Sequence, residues 1–93
     1  MLIESEKVLE KKLSEAIKKA GGLSIKLISI HFIGLPDRLC LLPKGRLFFI
    51  EMKTTGKKPS KIQTIVHAKL DALGFPVLII DTTQKINGFI KTL

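Results

Sequence analysis

The chain has 93 residues, 45% of them hydrophobic, and 16 Lys and Arg against 8 Asp and Glu give it a net charge of +8. That length allows one small domain, near the lower limit at which a single apolar core suffices, so a dimer interface would supplement the core. The longest apolar runs, such as Val77 to Ile80, are too short to span a membrane, and a single cysteine, Cys40, excludes an internal disulfide framework or a cysteine-based zinc site.

The opening stretch, MLIESEKVLEKK, reads as an acidic helix rather than a charged patch followed by an apolar run. No signal peptide is expected, and the lone thiol fits a reducing cytoplasm. Leu9, Leu13, Ala16, Ile17 and Ala20 recur at helical spacing, which predicts a first helix over 5–20 that Gly21-Gly22 stops. LSIKLISI, 23–30, reads as a strand, and HFIGLPDR as a bend punctuated by Gly34 and Pro36. Two further strands, 37–42 and 46–53, flank the hairpin signature PKG.

After the loop TTGKKP, Ser60 opens a second helix that runs to Leu73. Its spacing places Ile62, Ile65, Val66, Leu70 and Leu73 on the buried side. PVLIID, 76–81, is apolar throughout, as a strand covered on both faces tends to be. A last helix over 83–91 turns Ile86, Phe89 and Ile90 inward. No repeat or linker divides the chain, so residues 1–93 read as a single α/β domain, a mixed sheet flanked by helices.

The charges are unevenly spread. Between Ala16 and Leu70 eleven basic residues accompany only two carboxylates, Asp37 and Glu51. A basic excess favours polyanions through phosphate neutralisation, although solubility is the plainer account. Strand alternation puts Leu47, Phe49, Glu51 and Lys53 on one face, with Glu51 and Lys53 roughly 7 Å apart along the strand. The PKG turn brings Asp37, at the start of the partner strand, beside both. Two carboxylates are hard oxygen ligands suited to Mg²⁺, and a lysine beside the ion can stabilise charge developing on a phosphodiester. The structural alternative is an ion pair at a strand end, Glu51 with Lys53 or Arg38.

GLPDR followed by a hairpin strand ending in IEMK resembles the PD-(D/E)xK nuclease signature, with Pro36-Asp37 and Glu51-Met52-Lys53 as its two parts. With S-x-x-Q at Ser60 to Gln63 and a helix first in the order, the chain resembles the virus-type replication-repair nuclease (VRR-NUC) domain from the first helix through FPVLIID. The resemblance implies a restriction-endonuclease-like core, αβββαβ plus a C-terminal helix, and a Mg²⁺-dependent endonuclease in which Mn²⁺ substitutes. Asp37, Glu51, Glu10 and the Met52 carbonyl would hold the metal, Lys53 would be the catalytic lysine, and Gln63 would lie near the site. Lys26 matches a basic position on the first strand; with Arg38, Lys57, Lys58 and Lys61 it is a candidate DNA contact. Stand-alone members of the family are similar to homodimers acting on branched DNA such as four-way junctions, which implies DNA and a second copy as partners. The last helix or an aliphatic helix face would supply the interface.

Each assignment has a plainer counterpart. Ser60-x-x-Gln63 is also a capping box. Periodicity puts Glu6, rather than Glu10, nearer the middle of the apolar stripe. His67 reads as a solvent-exposed or core-edge histidine, His31 as a loop residue, and Cys40 as a small core residue. The segment SIHFIGLPDR departs from the family in lacking its usual small and proline residues. The rival function is a basic nucleic-acid-binding module without catalysis; a third is a protein-interaction domain.

Overall fold

The computed structural model describes residues 2–93. Helix α1 (Glu6–Lys19) begins where the Ser5 hydroxyl accepts the Val8 N–H, and it buries Leu9, Leu13 and Ile17 completely. It turns onto the sheet through Gly22, where a Cβ would lie 2.4 Å from the Leu41 carbonyl oxygen. Only glycine permits that approach.

Strands β1 (Leu23–Lys26), β2 (Arg38–Leu42) and β3 (Arg46–Met52) form an antiparallel meander, and β4 (Val77–Ile80) adds in parallel to β3. Leu42 faces Arg46, so Pro43-Lys44-Gly45 is a three-residue hairpin loop, with Lys44 and Gly45 both at φ 70°. Helix α2 (Lys61–Ala72) links β3 to β4, and α3 (Thr83–Lys91) closes the chain. The expected order and mixed sheet are both present.

Helices α1 and α3 cover one face, where Cys40, Ile50, Met52, Ile80, Ile86 and Phe89 join the α1 residues in the core. Phe48 packs edge-on against Phe89 at 5.0 Å between ring centroids. Helix α2 lies on the other face, where Phe49 meets Phe75 edge-on at 6.2 Å. That face is covered only in part. Leu23, Ile25 and Leu47 stay exposed on its β1 and β3 rows.

Three expectations change. The first strand ends at Lys26, not residue 30, because its partner β2 begins at Arg38. Leu27 still donates to the Asp37 carbonyl at 2.8 Å, but the residue before Asp37 is Pro36, which has no N–H for the ladder. Ile28 and Ile30 are therefore 82% and 84% exposed. The inner side of α2 is Val66 and His67, whereas Ile62, Ile65 and Leu73 face outward. Strand β4 is an edge strand with Ile79 exposed, so its apolar run does not mean cover on both faces. Of the two readings of His67, solvent-exposed or core-edge, its 9% exposure fits the core edge.

Candidate active site

The acids and the lysine converge at one end of the sheet. Asp37 sits just before β2 and accepts the Met52 N–H through both carboxylate oxygens, at 3.2 and 3.3 Å. The hairpin register produces this contact, since Arg38 lies opposite Ile50 and the next residues outward are Asp37 and Glu51. On β3, Glu51 is 1% exposed, and its Oε2 receives Lys53 Nζ at 2.9 Å and Gln63 Nε2 at 3.0 Å. Its Oε1 is buried without a donor, and His67 Nε2 lies 3.9 Å from it.

Helix α1 brings two more acids. Glu6, Glu10 and Asp37 each have one carboxylate oxygen within 4.8 Å of the others. Glu10 also meets Arg38 at 3.6 Å and Lys26 at 3.8 Å, two residues paired across β1 and β2. Arg38 thus serves Glu10 rather than Glu51. Both Glu6 and Glu10 belong to the cluster, so the α1 position that periodicity favoured and the one the resemblance favoured are brought together.

A network at the chain's start fixes where α1 begins. Glu4 N–H donates to Thr55 Oγ1 at 2.9 Å, Thr55 N–H returns a bond to the Glu4 carbonyl at 3.0 Å, and Glu6 N–H donates to Thr54 Oγ1 at 3.1 Å. The Glu4 carboxylate accepts the Thr83 N–H at 2.7 Å, the Thr83 hydroxyl and Lys12 Nζ at 3.0 Å. The first turn of α1, the loop after β3 and the start of α3 are therefore tied together. No motif in the sequence marks this tie.

Electrostatics follow from the crowding of acids. Burial first, then the charge of Glu51, push the Asp37 carboxyl up to about 7, while the Met52 N–H bond opposes them. Burial pushes the His67 imidazole below its ordinary range, against the attraction of Glu51. The chemistry of the donor set fits a hard divalent cation. Among the described residues, three carboxylates face one another with no paired cation except at Glu10, and a fourth holds a buried, unpaired oxygen. A cavity of about 640 Å³ between α1 and α3, bordered by Lys12, Lys19 and Lys91, holds none of these acids.

Of the expected site residues, Asp37, Glu51, Lys53 and Gln63 lie together, and Glu10 joins them through Asp37. Gln63 fills both of its readings, since its Oε1 accepts the Ser60 N–H at 2.9 Å in a complete capping box while its Nε2 holds Glu51. Lys57, Lys58 and Lys61 are exposed on the loop and helix start beyond β3, whereas Lys26 and Arg38 turn to Glu10. Sequence reasoning underrated Glu6 and His67. Glu6 carried a signal in the helical wheel; His67 had only its position one turn after Gln63.

An acid-lined end of a mixed sheet, with a lysine two residues after a buried glutamate, is the architecture of a restriction-endonuclease-like domain. No protein-family model matches the chain. It is 40% identical over 82 residues to "Putative nuclease p44" of Acyrthosiphon pisum secondary endosymbiont phage 1, covering 88% of each chain. It also superposes on a solved VRR_NUC domain with a TM-score of 0.87 at 27% identity, covering 95% of this chain and 97% of that one. The chain belongs to the VRR-NUC family.

Proposed function

We propose that this protein is a metal-dependent endonuclease that hydrolyses DNA phosphodiester bonds as a homodimer, acting in the cytoplasm on branched DNA such as four-way junctions. The observation that carries the reading is the meeting of Asp37, Glu51 and Lys53 at one sheet end, with Glu6 and Glu10 beside them. Asp37, Glu51, Glu10 and the Met52 carbonyl would hold Mg²⁺ or Mn²⁺, and Glu6 adds a carboxylate to that set. When bound, the ion supplies an activated water and a counter-charge for the phosphate. Lys53, paired with Glu51 and partly exposed, is placed to bring a positive charge to the scissile phosphate. Gln63 holds the Glu51 carboxylate from α2. Lys57, Lys58 and Lys61 face solvent beyond the same strand and suit the DNA backbone.

The surface supports a second copy. The chain exposes 6290 Å², and a folded monomer of 10.3 kDa is expected to expose about 5,400 Å². The excess, roughly 900 Å², is close to the ~800 Å² that each partner of a stable complex buries. Exposed apolar residues lie on several elements that a second copy could cover. Leu23 and Leu47 lie on the open sheet face, Ile28 and Ile30 on the segment before Asp37, and Ile62 on α2, against which Gly34 packs. The last helix, the other candidate surface, turns Ile86 and Phe89 into the core and leaves its opposite face to solvent.

Labelled linear, flapped and four-way DNA incubated with Mg²⁺ or Mn²⁺ tests the reading. The four-way junction should be cut, and Glu51→Ala or Asp37→Ala should abolish cutting while leaving the circular dichroism unchanged. Cutting by both variants at the wild-type rate would overturn the site. The non-catalytic alternative draws on the Glu51–Lys53 and Glu10–Arg38 ion pairs, and it predicts salt-sensitive DNA binding with no heat of Mn²⁺ binding in calorimetry.

A further inference from the structure

A buried carboxylate leaves a desolvation cost on each oxygen that finds no donor. Glu51 has two oxygens with about four acceptor positions between them. Lys53 and Gln63 both bond Oε2, and Oε1 is shut away from solvent with no donor. The group facing Oε1 is His67, whose Nε2 is likewise buried and unpaired, 3.9 Å away. A water bonded to both atoms in ordinary geometry would hold them about 4.6 Å apart, so the gap is too narrow for one. A direct bond needs the two atoms to approach by about 1 Å.

The orientation of α2 points the same way. His67 follows Gln63 by four residues, so the two project from one face of the helix, a turn apart. That polar face is turned to the sheet while Ile62 and Ile65 are left in solvent. Val66, on the same side of α2, is buried as well, so the sheet-facing side sets one apolar residue beside two polar ones.

We propose that His67 is a positioning residue for the reaction: its Nε2–H donates to Glu51 Oε1, fixes the plane of the carboxylate, and leaves one lone pair of Oε1 for a divalent cation. Helix α2 then grips both oxygens of one carboxylate, Oε2 through Gln63 and Oε1 through His67. This rests on the reading of Glu51 as a metal-holding residue.

Nitrogen-15 spectra of the metal-free protein test the hydrogen bond. His67 is expected to carry a slowly exchanging proton on Nε2 whose shift moves in Glu51→Gln; a proton on Nδ1 with Nε2 bare overturns the proposal. Calorimetry with Mn²⁺ tests the positioning. His67→Phe keeps the bulk without the donor and should bind Mn²⁺ about 10- to 100-fold more weakly, with His67→Gln recovering part of the loss. Wild-type affinity in His67→Phe also overturns it. Wild-type protein that neither binds Mn²⁺ nor cuts any DNA overturns the nuclease reading instead, and the nitrogen-15 result still decides the hydrogen bond.

Discussion

Asp37 holds its proton up to about 7, where an unfolded aspartate releases it near 3.8. In the metal-free protein the folded chain therefore binds more protons than the unfolded chain between those values. Stability falls as pH rises through that window, by at most about 1.4 kcal/mol per pH unit for one group. Urea unfolding between pH 4 and 7 should show this slope, and Asp37→Asn should flatten it. A cation must displace the same proton. Calorimetric Mn²⁺ affinity should then rise about tenfold from pH 6 to pH 8, the change in the deprotonated fraction of a group titrating near 7. The same carboxyl that costs stability at neutral pH is thereby prepared for an ion.

At the scale of elements, α2 is where stability and chemistry share a residue. Gln63 closes the capping box and holds Glu51, and substitution can separate the two. Ser60→Ala should destabilise the fold by about 1 kcal/mol, read by thermal melting, while leaving Mn²⁺ binding nearly intact. Gln63→Glu keeps an acceptor for the Ser60 N–H but loses the donor to Glu51 and sets two carboxylates face to face. Its melting temperature should fall little and its activity much. The segment before Asp37 depends on Gly34, at φ 97°, where a Cβ would lie 2.8 Å from Val66 Cγ2 and 3.0 Å from the Ile62 carbonyl oxygen. Gly34→Ala should cost about 1–3 kcal/mol and shift Asp37 with the loop, whereas Gly74→Ala meets open space and pays only the backbone strain.

For the whole molecule, charge and exposed area make separate predictions. DNA binding by a chain of net charge +8 should weaken steeply with salt. Replacing Lys57, Lys58 and Lys61 together by Ala should lower the slope of log affinity against log salt by about 2.7 if all three meet phosphates of a duplex. The acid cluster and the fold are untouched by that change. Sedimentation should give twice the 10.3 kDa chain mass, and Ile30→Asp, at a position 84% exposed, should halve it without unfolding the chain. Junction cutting that persists in the monomer would separate catalysis from pairing.

The sequence by itself determined the element order, the hairpin at PKG and the meeting of Asp37 with Glu51 and Lys53, because strand alternation and a short turn are local rules. It also placed Leu9, Leu13 and Ile17 inward, since one helix with one apolar stripe leaves little choice. Tertiary structure decided the rest. Periodicity on α2 favoured Ile62, Ile65, Val66, Leu70 and Leu73 as its buried side; the fold kept Val66 inward and turned Gln63 and His67 toward the buried Glu51 in place of Ile62, Ile65 and Leu73. Strand β1 stopped at Lys26 because its partner begins only at Arg38, which no β-branched run can reveal. Glu6 and Glu10 reach Asp37 because core packing of α1 and hydrogen bonds among Glu4, Thr54, Thr55 and Thr83 set the start of α1 by the end of β3. Such contacts join residues up to 79 positions apart, and local pattern carries no record of them.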